Sequence, residues 1–424
     1  MTFNVRPDRR FIRPTYRSNR FVLVEVTAPP ARTERVRPPV NLAFILDRSG
    51  SMGGDKIRLA KQAIEEAIGR LHDDDRFAIV TYDDHIDVVV PGTLASPDAR
   101  RTALDRLREV DARGSTNLGE GWLRGAQQVA EALADEGVNR CLLLTDGLAN
   151  VGITDRDELA RHAGELRARG VSTTTFGVGE DFDEVLLQSM AAAGGGHFYF
   201  IATAASIRDH ITSEVGETLE IVARGVTLEI SAAEGIRVES LSPYPVSDGR
   251  GRTEVTLGDL TSEERVEVVL RLNFPYGELG RSTGAAFTLS DRDGVARGEA
   301  KLGWAYADNG ANDHQERDRV VDRAVARIFA ARARQEAVGL NRHGDYSGAR
   351  HVVDATARRI RSYAGRDPEL RAILSELEGQ LQELSAPMME MNRKDIYARS
   401  SYAMRSRMAD GTAMKNPNSG GRRP

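Results

Sequence analysis

Asn41-Leu42-Ala43-Phe44-Ile45-Leu46-Asp47-Arg48-Ser49-Gly50-Ser51-Met52 is an apolar run that breaks off in a carboxylate and two hydroxyls. An uninterrupted apolar stretch reads as a strand covered on both faces, the situation of a parallel sheet. Open α/β sheets gather their ligands outside the carboxyl ends of such strands. Asp47, Ser49 and Ser51 stand at that end. Their alternate spacing in a tight loop lets all three oxygens converge on one point, and hard oxygens suit a hard cation.

Working outward, Asp55 to Leu71 places Ile57, Ala60, Ile64, Ala67, Ile68 and Leu71 at helical spacing, with Asp55 in the first turn. Strands are expected at Phe77–Tyr82, Ile86–Val90, Asn139–Thr145, Val171–Val178 and His197–Ile201. Helices are expected at Asp98–Val110, Asn117–Leu133, Asp157–Arg169, Asp183–Ala193 and Ser206–Val222. Strands alternating with helices predict a doubly wound, mostly parallel α/β sheet over residues 40–222.

On either side the pattern differs. Residues 1–20 are arginine-rich and aperiodic, and Arg20–Thr27 then alternates as a strand. From residue 223 to 307 short strands recur at Val226–Ile230, Ile236–Leu241, Thr253–Leu257, Arg265–Leu272, Ala285–Leu289 and Ala296–Trp304. Ser247-Asp248-Gly249 and Asp291-Arg292-Asp293-Gly294 mark turns between them, so this region reads as an antiparallel β-sandwich. Residues 314–385 return to a helical period, and residues 386–424 read as a flexible tail. The tail's Arg393, Lys394, Arg399, Arg405 and Arg407 are expected to be solvated. Residues 1–39 are expected to contribute one strand, near 20–28, which needs a sheet; the sandwich is the obvious one, making 40–222 an insertion.

At 424 residues and 40% hydrophobic content the chain is long enough for several domains. A formal net charge of -5 predicts no nucleic-acid or anionic-membrane partner through bulk charge. The lone Cys141 sits in an apolar run and has no intrachain mate, so the fold owes nothing to disulfides. With no apolar leader segment and no spanning run, a cytoplasmic location without membrane insertion is expected.

Two further loops belong at the same sheet edge: Gly114-Ser115-Thr116-Asn117-Leu118 before a helix, and Leu144-Thr145-Asp146-Gly147 after a strand. Magnesium takes about six oxygens and keeps several waters, and Asp47, Ser49, Ser51, Thr116 and Asp146 supply the protein's share. Taken singly, Asp47, Thr116 and Asp146 read rather as helix caps, Thr116 for the helix beginning near Asn117. Together the three loops resemble the metal-ion-dependent adhesion site of von Willebrand factor type A domains. The resemblance covers residues 40 to about 205, including Lys56-Ile57-Arg58-Leu59-Ala60-Lys61, Gly177-Val178-Gly179 and the Met190 to Gly196 approach to the last strand. It implies that Ser49 and Ser51 are direct ligands of magnesium, manganese or calcium. It also implies that Thr116 is a switchable ligand, that Asp47 and Asp146 act largely through water, and that a position stays open for a partner's Asp or Glu. The architecture also resembles the way integrins mount an inserted domain, and inter-α-trypsin-inhibitor heavy-chain-like bacterial proteins.

Other chemistries find little footing. Gly50-Ser51-Met52-Gly53-Gly54-Asp55-Lys56 lacks phosphate-loop spacing and has Ile57 after the lysine. Asp73-Asp74-Asp75 reads as a solvated loop, and His72, His85 and His162 as surface residues without zinc spacing. No Ser-His-Asp or Cys-His arrangement is legible, so no enzyme is expected. The sequence therefore points to a protein-interaction scaffold or assembly factor. An accessory subunit of a chaperone-like AAA+ ATPase system, or a magnesium-dependent hydrolase, are the alternatives; the partner's identity and the oligomeric state are not legible.

Overall fold

The computed structural model describes residues 1–31, 37–134, 136–249 and 251–415. They form two compact units: Arg32–Glu220, and Met1–Ala31 together with Ile221–Pro424. In chain order the first elements are β1 (Thr2–Pro7), β2 (Phe11–Ile12) and β3 (Ser18–Thr27). The continuous unit then contains β4 (Val40–Asp47), α1 (Asp55–Gly69), β5 (Arg76–Tyr82), β6 (Ile86–Leu94), α2 (Pro97–Arg108), α3 (Leu118–Ala130) and β7 (Val138–Thr145). It closes with α4 (Arg156–Ala168), β8 (Val171–Val178), α5 (Glu184–Gly194), β9 (Gly195–Ile201) and α6 (Ile207–Leu219).

The continuous unit is a 6-stranded sheet of order β6-β5-β4-β7-β8-β9, parallel except for β6, with helices packed against it. This is the doubly wound α/β fold that the alternating pattern predicts. Both central strands, β4 and β7, are buried along their whole length, which is why their sequences run apolar without alternation. Parallel register pairs Asp47 with Tyr82 and Leu46 with Leu144, so the polar residues after β4 and β7 emerge side by side. Helix α3 lies across β4, β5 and β7, close enough that a Cβ on Gly125 would stand 2.3 Å from Ile45 Cγ1. The helix α6 stops at Leu219, short of the expected Val222, because the chain enters a strand at Ile221.

In the discontinuous unit the chain resumes as β10 (Ile221–Ala232), β11 (Arg237–Ser240), β12 (Val246–Gly249), β13 (Arg252–Thr261), β14 (Arg265–Phe274), β15 (Ser282–Ser290) and β16 (Gly298–Tyr306). Helices follow: α7 (Asn309–His314), α8 (Arg319–Arg342), α9 (Tyr346–Ala364), α10 (Pro368–Leu384) and α11 (Glu390–Met404). A 4-stranded sheet, β1-β3-β14-β11, faces a 6-stranded sheet, β12-β13-β10-β15-β16-β2, across a shared core of Val22, Val24, Leu228, Ile230, Val268, Leu270, Phe287 and Trp304. Strand β3 pairs along its full length with β14. Its alternate residues Phe21 and Leu23 point out of the sandwich into a second cluster with Val321, Val325 and Ile328 of α8.

Several expectations need correction. The described part of residues 1–39 holds three strands rather than one: β1 is a sheet edge whose polar face carries Asn4 and the half-buried Arg6, the latter bonding Asp318 at 2.9 Å, and this polar face masks the alternation of Phe3 and Val5. Ser247–Gly249 is part of the short exposed strand β12, paired with β13, rather than a turn. The 386–424 segment is not a flexible tail over its described part, and its basic residues are not all solvated: α11 buries Ile396, Ala398, Tyr402 and Met404, Lys394 and Arg407 are buried as well, and of the five basic residues Arg399 is the exposed one. Because α11 is covered on several faces, no amphipathic stripe shows in its sequence. Ser400 and Ser401 enter it by donating to the carbonyls of Ile396 (2.7 Å) and Tyr397 (3.0 Å). Residues 416–424 lie outside the described residues.

Candidate metal centre

The loop after β4 turns through a short 3-10 segment, Gly50–Met52, pinned by the buried Met52 side chain. It leaves Ser51 exposed at the mouth and Ser49 buried below it, their hydroxyls 3.2 Å apart. Ser51 Oγ donates to Asp146 Oδ1 at 2.7 Å, joining the loop after β7 to the loop after β4. Asp47, fully buried, accepts from the Ser49 amide at 2.8 Å and from the Thr145 hydroxyl at 2.6 Å. Thr116 comes from the third loop: a Cβ on Gly147 would stand 3.3 Å from Thr116 Oγ1 and 3.8 Å from Ser51 Oγ. The structure thus brings all five sequence-predicted residues to one edge of the sheet.

None of them caps a helix. Gly54 precedes α1 and Asn117 precedes α3, neither making a side-chain cap bond, so the capping alternative is overturned for Asp47 and Thr116; no helix begins at Asp146. The Thr116 hydroxyl makes no hydrogen bond among the described residues although the residue is only 4% exposed. Two buried carboxylates, two serine hydroxyls and the Thr116 hydroxyl facing them form an all-oxygen donor set, which fits a hard divalent cation and not a thiolate-seeking one. Burial pushes the Asp47 carboxyl up to about 6; bonds from Thr145 and Ser49 oppose the push and the charge of Asp146 adds to it.

The surrounding frame holds residues that the sequence reading did not assign to the site. Lys56 forms an ion pair with Asp146 Oδ2. Asn150 accepts from the Thr116 amide at 3.2 Å, and its own amide donates back to the Thr116 carbonyl at 3.3 Å. Buried Asp83 ion-pairs Arg48 (3.0 Å) and Arg113 (2.8 Å), while the Arg113 amide donates to Arg48 O and the Gly50 amide to Gly114 O. These bonds lace the Thr116 loop to the serine loop. Their partners are distant in sequence and follow no spacing rule; only Lys56, nine positions after Asp47, could have been read as part of the same motif.

Other titratable groups prove structural. Asp75 is buried rather than solvated, accepting from Arg37, from the Val40 amide at 2.9 Å and from the His72 amide at 2.6 Å. His197, Glu214 and Glu217 lie close enough together to hold a metal. Glu214, however, already accepts from Arg140 (2.7 Å), Thr174 (2.7 Å) and Tyr199 (2.8 Å) and contacts His197 (3.0 Å), which pins α6 to the sheet. Cys141 is buried, its thiol pushed up to about 12 by burial.

Comparison with known proteins agrees with the geometry. The family model for the von Willebrand factor type A domain matches residues 41–213. The uncharacterized protein YfbK of Escherichia coli is 34% identical over 210 residues, 49% of this chain and 36% of that protein. The uncharacterized protein sll0103 of Synechocystis is 28% identical over 275 residues, covering 62% of this chain and 63% of that one. The chain therefore spans less than two thirds of the length of these curated relatives. A solved structure, von Willebrand factor type A from Catenulispora acidiphila, shares the fold at TM-score 0.73 and 19% identity, over 98% of this chain and 97% of that one. No helix among the described residues is long and apolar enough to cross a membrane. With their parallel sheet, their three converging loops and this family match, residues 41–213 of the chain form a von Willebrand factor type A domain.

Proposed function

We propose that this domain is a metal-dependent protein-interaction module that captures an acidic side chain of a partner, and that the chain serves as a scaffold or assembly factor rather than an enzyme. The observation that carries this reading is the convergence of Asp47, Ser49, Ser51, Thr116 and Asp146 at a partly open sheet edge, with Ser51 exposed at its mouth. Ser49 and Ser51 are assigned as direct ligands of magnesium, or of manganese or calcium, with Thr116 as the variable ligand and Asp47 and Asp146 orienting bound water. Bound there, the cation supplies a Lewis-acid position for a partner's Asp or Glu carboxylate. Neutral hydroxyl ligands leave much of its charge unanswered, and in a partly desolvated cleft the remaining attraction exceeds its value in water.

Partner capture from the host extract, in magnesium and in chelator, tests the reading. Capture is expected to disappear in chelator and to fall about 10- to 100-fold with Asp146→Ala, the usual effect of losing an orienting group around a metal. Thr116→Ala should weaken capture without unfolding the chain. Capture indifferent to both chelator and Asp146→Ala contradicts the reading, and moves the interaction surface to the other unit. A captured AAA+ ATPase would narrow the scaffold to an accessory subunit of such a system.

A further inference from the structure

Lys56 is the one part of the cluster whose charge the metal-site reading leaves unused. It sits on the first turn of α1, nine residues after Asp47, and its ammonium pairs with Asp146 Oδ2 while Asp146 Oδ1 is held by Ser51. The ammonium lies beside the turn after β8, where a Cβ on Gly179 would stand 3.9 Å from Lys56 Nζ. The lysine side chain is 30% exposed and the aspartate's is closed off, so this is a partly desolvated pair rather than a loose surface contact. The nearby guanidiniums are answered elsewhere: Arg48 by Asp83 and Asp87, and Arg113 by Asp83 and Asp87. Among the described residues, Asp47, Asp146 and Lys56 are the charged groups bonded within the hydroxyl cluster.

We propose that Lys56 sets the charge balance of the site, weakening its hold on the cation so that the loaded site demands an external carboxylate. This rests on the metal-site reading above. Without the lysine, the two carboxylates balance a divalent cation in formal charge, and only their distance from it, across bound water, is left to attract a partner's acid. With it, the loaded cluster carries one net positive charge, and a single Asp or Glu neutralises it. The same ammonium repels an incoming cation, and in the metal-free protein it is the counter-ion that makes a buried Asp146 tolerable. Lys56 is thus a positioning and charge-setting residue, coupling metal occupancy to carboxylate capture through opposite effects on the two ligands. Because the linkage is reciprocal, a carboxylate must also tighten metal binding.

Magnesium titration by calorimetry at pH 8, in sodium acetate and in sodium chloride of matched ionic strength, reads both effects with defined probes. Affinities are corrected for magnesium acetate formed in solution. In the full-length wild-type chain, acetate is expected to tighten magnesium binding. Lys56→Met is expected to bind magnesium about fivefold or more tightly in chloride, by removal of a nearby like charge, and to lose the acetate effect. Lys56→Arg should behave as wild type. In chelator, Lys56→Met should melt below wild type, with the gap closing at saturating magnesium, a pattern that a purely structural role of the lysine does not produce. Should Lys56→Met fail to fold, Lys56→Gln keeps a hydrogen-bond donor to Asp146 and carries the same expectation. Magnesium affinity unchanged in the neutral variants, or an acetate effect equal to that of wild type, overturns the role of Lys56 alone. A wild-type chain with no magnesium heat overturns the metal-site reading, and this inference with it.

Discussion

A buried carboxylate is tolerable only when donors surround it, and Asp75 shows what such a residue does away from the candidate site. Its side chain is closed to solvent and ties Arg37, the start of β4 and the His72 turn to one another through four donors, two of them backbone amides. Burial works to raise its carboxyl, yet the bonds from Arg37 and the amides outweigh that and hold it below the ordinary aspartate value. A lowered acid stabilises the folded state above its unfolded value, near pH 4, and the contribution is lost as pH falls through the lowered one. Asp75→Asn is therefore expected to cost about 2 kcal/mol at pH 7, since it leaves the partly buried Arg37 guanidinium and two amides without their charged acceptor. The deficit should shrink below about pH 4, where the wild-type acid protonates as well. Denaturant melts at pH 7 and pH 3 check this; an equal loss at both would contradict it. Asp73-Asp74-Asp75 reads as a solvated loop because three consecutive acids give no sign of which one turns inward. Asp47 and Asp146 are legible because each ends an apolar run, and a carboxylate at that place has few bland explanations.

Elements are legible where one periodicity dominates. The runs of β4 and β7 and the helical stripe of α1 name themselves, whereas β2 is two residues long, β12 is a fully exposed edge, and α11 is buried on too many sides to show a stripe. Helix α3 illustrates a constraint that propensity hides. Gly121 and Gly125 lie on one face, and Cβ atoms there would stand 2.5 Å from Tyr82 Cγ and 2.3 Å from Ile45 Cγ1. Tyr82 and Ile45 belong to the strands that end at the candidate site, so the glycines let the helix settle directly on them. Gly125→Ala should destabilise the domain by about 1–3 kcal/mol through overpacking, despite the roughly 1 kcal/mol that alanine gains over glycine in a helix. Pairing it with Ile45→Val should recover part of the loss. A Gly125→Ala chain as stable as wild type in urea would show that α3 is free to lift.

At the scale of the whole molecule, the discontinuous unit is built from both sides of the type A domain in sequence, and β3 is its most telling element. It is buried on one face by the sandwich and on the other by α8, at an inner position of a 4-stranded sheet, which is why the alternation expected of Arg20–Thr27 gives way to apolar residues from Phe21 to Val26 with only Glu25 between them. Sequence shows that such a strand needs partners; the pairing with β14, some 240 residues away, comes only with the fold. Deleting residues 1–30 should strip protection from the amides of residues 252–306, while an isolated fragment of residues 37–220 keeps its own core and folds. Hydrogen exchange on both chains decides it: unchanged protection across β14, or an unfolded fragment, would contradict this division. The type A domain's apolar sheet, not a metal, holds it together, so its melting in chelator should remain cooperative.

The central claim, that the hydroxyl and carboxylate cluster binds a divalent cation, is met most directly by magnesium titration of the wild-type chain beside a Ser49→Ala, Ser51→Ala double variant. Saturable heat with one site per chain is expected in wild type, and none in the double variant with its fold intact by circular dichroism. Equal heats in the two chains, or none in wild type, would contradict it.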